Sequence, residues 1–175
     1  MINWLTSDTH FGHENIIRYC GRPFKSLKEM DETLVKNWNS RVSKGDTVYF
    51  LGDFCFKKST EAPNANAFEY YREQLNGNIV FIGGNHDRQN RNKTILQGCV
   101  VCLGGQQIYL VHDPKHMNPA YKLGFCGHVH EKWKIVKYGP TVIVNVGVDQ
   151  WNFFPIEINQ INKALAKWRT THDIS

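Results

Sequence analysis

The sequence predicts an α/β fold in which two mixed β-sheets pack together with helices on the outside. In the first half of the chain, short apolar runs alternate with segments of helical periodicity, the pattern of a sheet covered by helices. From about residue 99 onward, closely spaced apolar runs separated by tight turns predict a second, more antiparallel sheet. Polar clusters follow several of these runs, as is typical of sites at the carboxyl ends of strands in such folds.

In the first half, the predicted strands are "INWLT", "TVYFL" and "NIVFIG". Ser26 and Glu29 form a capping-box pattern, which predicts that a helix begins at this point. Apolar residues then recur at helical spacing on one face: Leu27, Met30, Leu34, Trp38 and Val42. A second helix is predicted in "APNANAFEYYREQL", which Asn76 and Gly77 close.

In the second half, five strands are predicted, over residues 99–103, 106–112, 123–127, 133–137 and 141–146. A terminal helix is predicted in "NQINKALAKWR", with Asn159 as its N-cap. Its apolar stripe consists of Ile161, Leu165 and Trp168. The sequence contains no linker, internal repeat or low-complexity segment, so a single domain over residues 1–175 is expected.

The composition is that of a globular chain, with 41% hydrophobic and 21% charged residues. No apolar run approaches the roughly 20 residues that span a bilayer, so no membrane partner is expected. The N-terminus "MINWLTSD" has no basic leader before an apolar stretch, which argues against a secretory signal. We therefore expect a cytoplasmic protein.

The five cysteines are an odd number, which argues against a disulfide framework. Cys99 and Cys102 lie in an apolar run, and on a strand residues three apart point to opposite faces. No second CxxC pattern completes a tetrahedral zinc site. All five cysteines are predicted to be small buried hydrophobic residues.

The formal net charge is +5, from 21 basic and 16 acidic residues. This excess suits an anionic partner, but the sequence has no dense basic block and no basic stripe with interleaved aromatic residues. The sequence therefore does not indicate nucleic acid as a partner, but it does not exclude it. The sequence does not determine the oligomeric state.

Polar, ligand-type residues follow five of the predicted strands. They are Asp8, His10, His13, Asp53, Asn85, His86, Asp87, His112, Asp113, His128 and His130. Six of the eight histidines of the chain belong to this set. Because such loops converge at one edge of an α/β sheet, a metal site is the simplest interpretation.

Oxygen and imidazole ligands without thiolate favour manganese, iron, nickel or zinc. Asp8 and His10 are two residues apart, so on an extended strand end they are expected to point the same way. His128 and His130 repeat this spacing, although either pair alone more often consists of solvent-exposed polar side chains that bind no metal. The seven candidate ligands are Asp8, His10, Asp53, Asn85, His112, His128 and His130. They exceed the need of one ion, whereas two ions sharing Asp53 as a bridge would use all of them.

The ordered set "DTH…GD…GNHD…H…GHVH" resembles the five-block signature of the calcineurin-like metallophosphoesterase superfamily. The blocks run in the order of the family from Asp8 to His130, and "VNVGV" resembles the strand that follows them. The opening "SDTHFGHENIIRYCGRPF" resembles a subgroup of small bacterial and phage-encoded members. Val129 stands where many members have threonine, a side chain expected to point away from the metals.

The resemblance implies two divalent metal ions, with manganese favoured and iron, nickel or zinc as alternatives. It implies that one ion is held by Asp8, His10, Asp53 and His130. It implies that the other ion is held by Asp53, Asn85, His112 and His128. A metal-bridging hydroxide would attack phosphorus in line. His86 would stabilise an equatorial oxygen or protonate the leaving oxygen, and Asp87 would orient His86.

The expected function is hydrolysis of a phosphodiester, in a small phosphoester or nucleotide-type substrate. Phosphomonoester hydrolysis at the same site is the alternative. A non-catalytic scaffold, like the retromer subunit that resembles a phosphoesterase, is less favoured because this chain keeps both ligand sets and the catalytic histidine. A third possibility is a nuclease like the phosphoesterase subunit of double-strand-break repair complexes. Such proteins carry long additional domains, for which 175 residues leave little room, but cleavage of short or single-stranded substrates stays open.

Three further residues have open roles. His13 would contact the substrate phosphate or orient a ligand, or it is a histidine behind the ligands or on the surface. Arg22 and Arg88 are candidates to bind phosphate as bidentate donors. For each arginine, a solvated side chain is the favoured interpretation.

Overall fold

The computed structural model describes residues 1–56, 66–88, 94 and 96–172 and contains two β-sheets. The strands are β1 (Asn3–Thr6), β2 (Thr47–Phe50), β3 (Asn78–Phe81), β4 (Gly98–Leu103), β5 (Gln106–Val111), β6 (Leu123–Cys126), β7 (Ile135–Tyr138), β8 (Thr141–Asn145) and β9 (Ile156–Glu157). The helices are α1 (Asn15–Tyr19), α2 (Leu27–Asn39), α3 (Ala67–Glu73) and α4 (Ile158–Thr171). Two 3₁₀ turns cover Pro114–His116 and Val148–Gln150. No helix within these ranges is long and apolar enough to cross a membrane.

Both sheets are mixed, as predicted. The first has the order β3-β2-β1-β9, in which β1, β2 and β3 are parallel and β9 is antiparallel to β1. The second has the order β4-β5-β6-β8-β7, with β5, β6 and β8 parallel and an antiparallel strand at each edge. The parallel strands of each sheet therefore end on the same side, which places the loops after them close together.

The first sheet separates two apolar cores because its side chains alternate between faces. On β1, Trp4 packs among residues of α2 and α3, whereas Leu5 packs among residues of the second sheet. The predicted stripe of α2 lies in the first core, since Leu27, Met30, Leu34, Trp38 and Val42 are all buried. The helical periodicity therefore predicted the packing face of α2 correctly.

The helix starts differ from the prediction in detail. Ser26 caps α2 by accepting the Glu29 N–H at 3.2 Å, but the Glu29 carboxylate accepts the Lys25 N–H rather than that of the cap residue. A capping box occurs at α4 instead, between Glu157 and Gln160. The N-cap of α4 is therefore Glu157, and the prediction of Asn159 as N-cap is wrong. The helix begins earlier because β9 ends at the capping residue. The predicted start of α3 lies outside the described residues, and its observed N-cap is Asn66.

The prediction that all cysteines are buried is wrong. Cys55 and Cys126 are buried, Cys20 and Cys99 are partly exposed, and Cys102 is exposed. Cys99 and Cys102 lie on β4, an edge strand of the second sheet, where one face meets the core and the other is open. None of the five forms a disulfide.

Candidate metal centre

The strand ends of both sheets meet at one place. The chain after β1 is joined to the chain after β2, because Asp8 N–H donates to Gly52 O at 3.0 Å and His10 N–H donates to Asp53 O at 3.1 Å. The second sheet joins this group through the His128 N–H, which donates to the Asp8 carboxylate at 3.0 Å. The seven candidate ligands therefore come together although up to 122 positions separate them along the chain (130 − 8).

Asp53 lies at the middle of this group. Its Oδ2 atom is 3.6 Å from His10 Nε2 and 3.4 Å from His112 Nε2. Its Oδ1 atom accepts the backbone N–H of His86 at 2.9 Å. One carboxylate oxygen thus anchors the loop after β3, and the other faces a histidine of each proposed ligand set.

On one side of Asp53, Asp8 faces two imidazoles. Asp8 Oδ1 is 3.9 Å from both His10 Nε2 and His130 Nε2. The two imidazole rings lie 5.2 Å apart between centroids. Three side-chain ligands of the first proposed set therefore share a small buried space.

On the other side of Asp53, Asn85 links two imidazoles. Asn85 Oδ1 is 3.0 Å from His112 Nε2 and 2.9 Å from His128 Nδ1. The carboxylate of Asp113 lies 3.9 Å from His128 Nε2. The second proposed ligand set is therefore also assembled around a single oxygen atom.

The backbone is strained at this centre. Seven non-glycine residues in the described part of the chain have positive φ, and five of them are candidate ligands. Those five are Asp8, His10, Asp53, His128 and His130, with φ between 46° and 71°. Such conformations are unfavourable for non-glycine residues and concentrate at functional sites.

Asp8 and His10 do lie close together, as predicted, but the predicted reason, an extended strand end, is wrong. Strand β1 ends at Thr6, and both residues adopt left-handed backbone conformations beyond it. The pair is brought together by this turn and by its hydrogen bonds to the chain after β2. The spacing of two residues predicted the contact but not the geometry.

Glycines let the loops approach the carboxylates closely. A Cβ atom at Gly84 would overlap Asp53 Oδ1, and one at Gly127 would overlap Ser7 Oγ and Asp8 Oδ2. A Cβ at Gly52 would lie 2.6 Å from His112 Nδ1. The glycines of "GD", "GGN" and "GHVH" are thus required by contact with the ligands, because any side chain would occupy their space.

The substitution Gly84→Ala is expected to displace Asp53 and lower the metal content of the purified protein. Overpacking of this kind costs about 1–3 kcal/mol in the free energy of unfolding. Urea denaturation and elemental analysis measure the two effects. Gly45→Ala is the matched control, since a Cβ there meets no atom within 4 Å and should leave both quantities unchanged. Equal behaviour of the two variants would contradict the close approach at Gly84.

The charges of the site balance through protons in the metal-free state. Burial raises the pKa of Asp8 and lowers the pKa of His10 well below its usual value. Burial also opposes protonation of His112 and His130, but carboxylate neighbours outweigh it. The hydrogen bond with Asp53 helps raise the pKa of His112 to about 9, and the hydrogen bond with Asp149 helps raise that of His130 to about 10. Both histidines must lose a proton to bind a cation, so metal affinity is expected to rise with pH.

The donor set fits divalent cations. His10 Nε2 is buried and, among the described residues, has no hydrogen-bonding partner, although it faces carboxylate oxygens of Asp8 and Asp53. An unpaired buried nitrogen is costly unless something binds it. A cation between this nitrogen and the two carboxylates would satisfy all three groups.

The outward ring nitrogens of two candidate ligands are hydrogen bonded, which orients the other nitrogen toward the site. His112 Nδ1 is 2.7 Å from Leu51 O, and His130 Nδ1 is 2.9 Å from Asp149 Oδ2. Such partners hold a metal-binding imidazole in one tautomer and orientation. In both cases Nε2 is left to bind a cation.

Asp87 organises backbone around the centre. Its buried carboxylate accepts the N–H groups of Asp53 at 2.9 Å, Phe54 at 3.0 Å and Gly84 at 2.7 Å. These contacts tie the loop after β2 to the loop after β3. Asp87 therefore has a structural role in joining these two loops. That it also orients His86 stays a prediction. His86 is exposed, and its ring lies 5.7 Å from that of His10.

The favoured interpretation of Arg22 as a solvated side chain is wrong. Arg22 is buried and forms a bidentate ion pair with Asp149, at 2.8 Å and 3.0 Å. It also donates to the backbone oxygens of Asp8 at 2.7 Å and Thr9 at 3.0 Å. Arg22 therefore supports the strained Asp8 segment and holds the carboxylate that orients His130, so its donors are already used. Arg88 is exposed, which agrees with the favoured interpretation of a solvated side chain.

Asp149 is the residue that the sequence reasoning missed. It follows β8 within "VNVGVDQ", so its signal was one more polar residue just beyond a strand end. Its partner His130 is a candidate ligand, and its partner Arg22 lies far away in sequence. Only the tertiary fold brings these three residues together.

His13 is partly buried beside the centre. Its ring stacks on Phe56, with centroids 5.0 Å apart and an interplanar angle of 12°, and lies 5.7 Å from His10. Burial and the nearby His86 lower its pKa. His13 is therefore not a freely solvated histidine, and its contact with substrate stays a prediction.

This fold and this cluster of aspartate, asparagine and histidine side chains define a metallophosphoesterase-type centre. A family model described as the calcineurin-like phosphoesterase superfamily domain matches residues 1–158. The chain belongs to this superfamily, which supports a phosphoester hydrolase that depends on metal ions.

Two proteins are similar to this chain in sequence, and one solved structure is similar to it in fold. The uncharacterized protein MJ1445 of Methanocaldococcus jannaschii is 36% identical, over 98% of this chain and 96% of its own length. The Gene 66 protein of Mycobacterium phage L5 is 34% identical over 53% of this chain and 37% of its own length. The crystal structure of AQ665 from Aquifex aeolicus, a protein of unknown function, has a TM-score of 0.69 at 24% identity and covers 93% of this chain and 98% of its own. That likeness concerns the fold.

Proposed function

We propose that this chain is a dinuclear metal-dependent phosphodiesterase. The observation that carries the proposal is the position of Asp53 Oδ2, which lies within 3.6 Å of a histidine from each candidate ligand set. A carboxylate shared by two sites is what two neighbouring cations require. Manganese is the favoured ion, with iron, nickel and zinc as alternatives, because the donors are oxygen and imidazole.

When bound, two divalent ions would supply positive charge to the phosphoryl oxygens and lower the pKa of a water molecule. The first ion would be held by Asp8, His10, Asp53 and His130. The second would be held by Asp53, Asn85, His112 and His128. Leu51 O and Asp149 hold the His112 and His130 imidazoles so that Nε2 faces inward. This preorganisation lets the site bind charge without rearrangement during the reaction.

His86 is proposed to act on the substrate phosphate. Its backbone is anchored by the Asp53 carboxylate, and its ring is exposed next to His10. An imidazole at this position can donate a hydrogen bond to a phosphoryl oxygen or a proton to the leaving oxygen. Asp87 fixes the loops on both sides of it through three backbone hydrogen bonds.

Elemental analysis of the purified protein, followed by ester hydrolysis with and without manganese, tests the proposal. About two metal ions per chain and metal-dependent turnover of bis(p-nitrophenyl) phosphate are expected. p-Nitrophenyl phosphate should be the poorer substrate. A dominant rate on p-nitrophenyl phosphate would replace the diesterase with a monoesterase at the same site. A metal-loaded protein that hydrolyses neither ester, nor natural phosphodiesters, would favour the non-catalytic scaffold.

The substitution His86→Ala separates the two roles of the imidazole. A proton donor matters most for poor alkyl leaving groups, because p-nitrophenolate departs without a proton. We expect a loss of about 10²–10⁴-fold on alkyl esters and a clearly smaller loss on aryl esters. The measurement is kcat/KM on both ester types at equal metal content. His172→Ala, at an exposed histidine of the C-terminal segment, is the control. Equal losses on both ester types would assign His86 to charge stabilisation alone.

A further inference from the structure

A cavity of about 230 Å³ opens beside the second candidate ligand set. Its lining includes Asn85 and His112, two of those candidate ligands, and the glycines Gly83 and Gly84. Residues of β5 and of the turn that follows it also line the cavity. It therefore adjoins the place where the proposed site would hold a phosphate.

The wall of the cavity also carries hydrogen-bonding side chains. They come from Gln97, Tyr109 and His116. The Gln97 amide lies against the glycine backbone, since its Nε2 would be 3.2 Å from a Cβ at Gly83. Tyr109 is held by stacking on Tyr121, with centroids 5.5 Å apart and an interplanar angle of 15°. Among the described residues, no hydrogen-bonding partner occupies the side chain of Gln97 or His116, so both are available to a ligand.

The charge of the wall restricts the ligand. No lysine or arginine is among its described lining residues, and Asp113 contributes a carboxylate. The Asp113 carboxylate would repel a second phosphate or a carboxylate at this wall. Hydroxyl groups suit the wall, because they can donate to the carboxylate and exchange hydrogen bonds with the amide and the imidazole.

His86 is not among the described residues that line the cavity. His86 is next to His10, in the first candidate set, whereas the cavity is next to Asn85 and His112, in the second. In hydrolysis of a diester, water forms a new bond to phosphorus, the bond to the leaving oxygen breaks, and that oxygen takes up a proton. The other ester substituent stays on phosphorus and needs a place of its own.

We propose that this cavity binds the retained substituent of a phosphodiester, an uncharged group that carries hydroxyl, such as a sugar. The inference rests on the proposed function and names the substrate class of the same site. It also gives a physical reason for the preference for diesters, because a monoester has no second substituent to fill the cavity.

Matched p-nitrophenyl diesters test the proposal. The methyl ester, the glyceryl ester and the thymidine 5′-ester of p-nitrophenyl phosphate share a leaving group and a net charge and differ only in the retained substituent. We expect kcat/KM for the thymidine ester to exceed that for the methyl ester about tenfold or more, the effect of about 1.4 kcal/mol of binding. A full preference that already appears with the glyceryl ester would identify a short polyol as the source of the hydroxyls.

Variants of the wall assign the preference to this cavity. Gln97→Ala and His116→Ala, singly and together, should lower the thymidine-to-methyl ratio about tenfold and leave methyl ester turnover and metal content unchanged. Gln107→Ala is the control, since Gln107 is exposed on β5 outside the cavity lining.

The outcomes separate this inference from the proposed function. Turnover of all three esters with no preference in the wild type, or a preference that survives both wall substitutions, would overturn the cavity assignment and leave the diesterase standing. No turnover of any ester by the metal-loaded protein would overturn the diesterase and the cavity assignment together.

Discussion

Replacing Asp53 with alanine is expected to remove both metal sites and with them all phosphoester hydrolysis. Asp53 Oδ2 is the oxygen that faces His10 and His112, so no other described carboxylate oxygen is as close to both candidate sets. The substitution also removes the hydrogen bond that the His86 N–H donates to Asp53 Oδ1 at 2.9 Å. Elemental analysis should show less than one ion per chain, and turnover of bis(p-nitrophenyl) phosphate should fall to background.

Asp53→Asn is the informative companion variant. Its side-chain oxygen can still accept the His86 N–H, so the loop after β3 should stay in place while the negative charge is lost. A folded Asp53→Asn protein without metal would assign the loss to the shared charge. Substantial turnover by either variant, at wild-type metal content, would refute a bridging role for Asp53.

The substitution Arg22→Met is expected to give the largest loss of stability among the residues around the centre. It leaves the buried carboxylate of Asp149 without its cation and frees the backbone oxygens of Asp8 and Thr9. Removing one partner of a buried ion pair costs about 3–5 kcal/mol. Urea denaturation of the metal-free protein measures this cost without a contribution from bound ions.

The same substitution should also weaken metal binding. Asp149 orients His130, and loss of such a hydrogen-bonding partner typically lowers metal affinity about 10–100-fold. Arg88→Met is the matched control, because Arg88 directly follows Asp87 in the sequence but is exposed. Its free energy of unfolding should change by no more than about 0.5 kcal/mol. If the Arg22→Met protein is as stable as this control, the ion pair between Arg22 and Asp149 does not stabilise the fold.

Much of the fold was predictable because local rules decided it. The apolar stripe of α2 from Leu27 to Trp38 is buried as its spacing indicates, as is Val42 just beyond the helix, and the strand segments of the second sheet lie within about two residues of their predicted positions. The mixed pairing of both sheets also agrees with the prediction. What failed were details decided by neighbours, such as the start of α4, where the end of β9 supplies the cap.

The candidate site was predictable to the level of residue type and order, but not of geometry. The polar clusters at strand ends indicated which side chains would meet, and the contacts of Asp53 and Asn85 are those of one centre. The sequence did not indicate that five of these residues adopt positive φ. That conformation is held by hydrogen bonds between loops distant in sequence, which no local pattern encodes.

The sequence by itself determined the fold class and the family, and it indicated which side chains would lie together, because periodicity and motif order are local properties of a chain. The tertiary structure alone decided which polar residues support that centre. Arginine is a residue type usually found at the surface. Arg22 is nevertheless buried, because Asp149 and two backbone oxygens accept the hydrogen bonds that water would otherwise accept. The cavity beside Asn85 is likewise lined by residues of β5 and of the glycine turn after β3, which are distant in sequence. Burial and electrostatic pairing depend on distances between segments, and only the folded chain sets those distances.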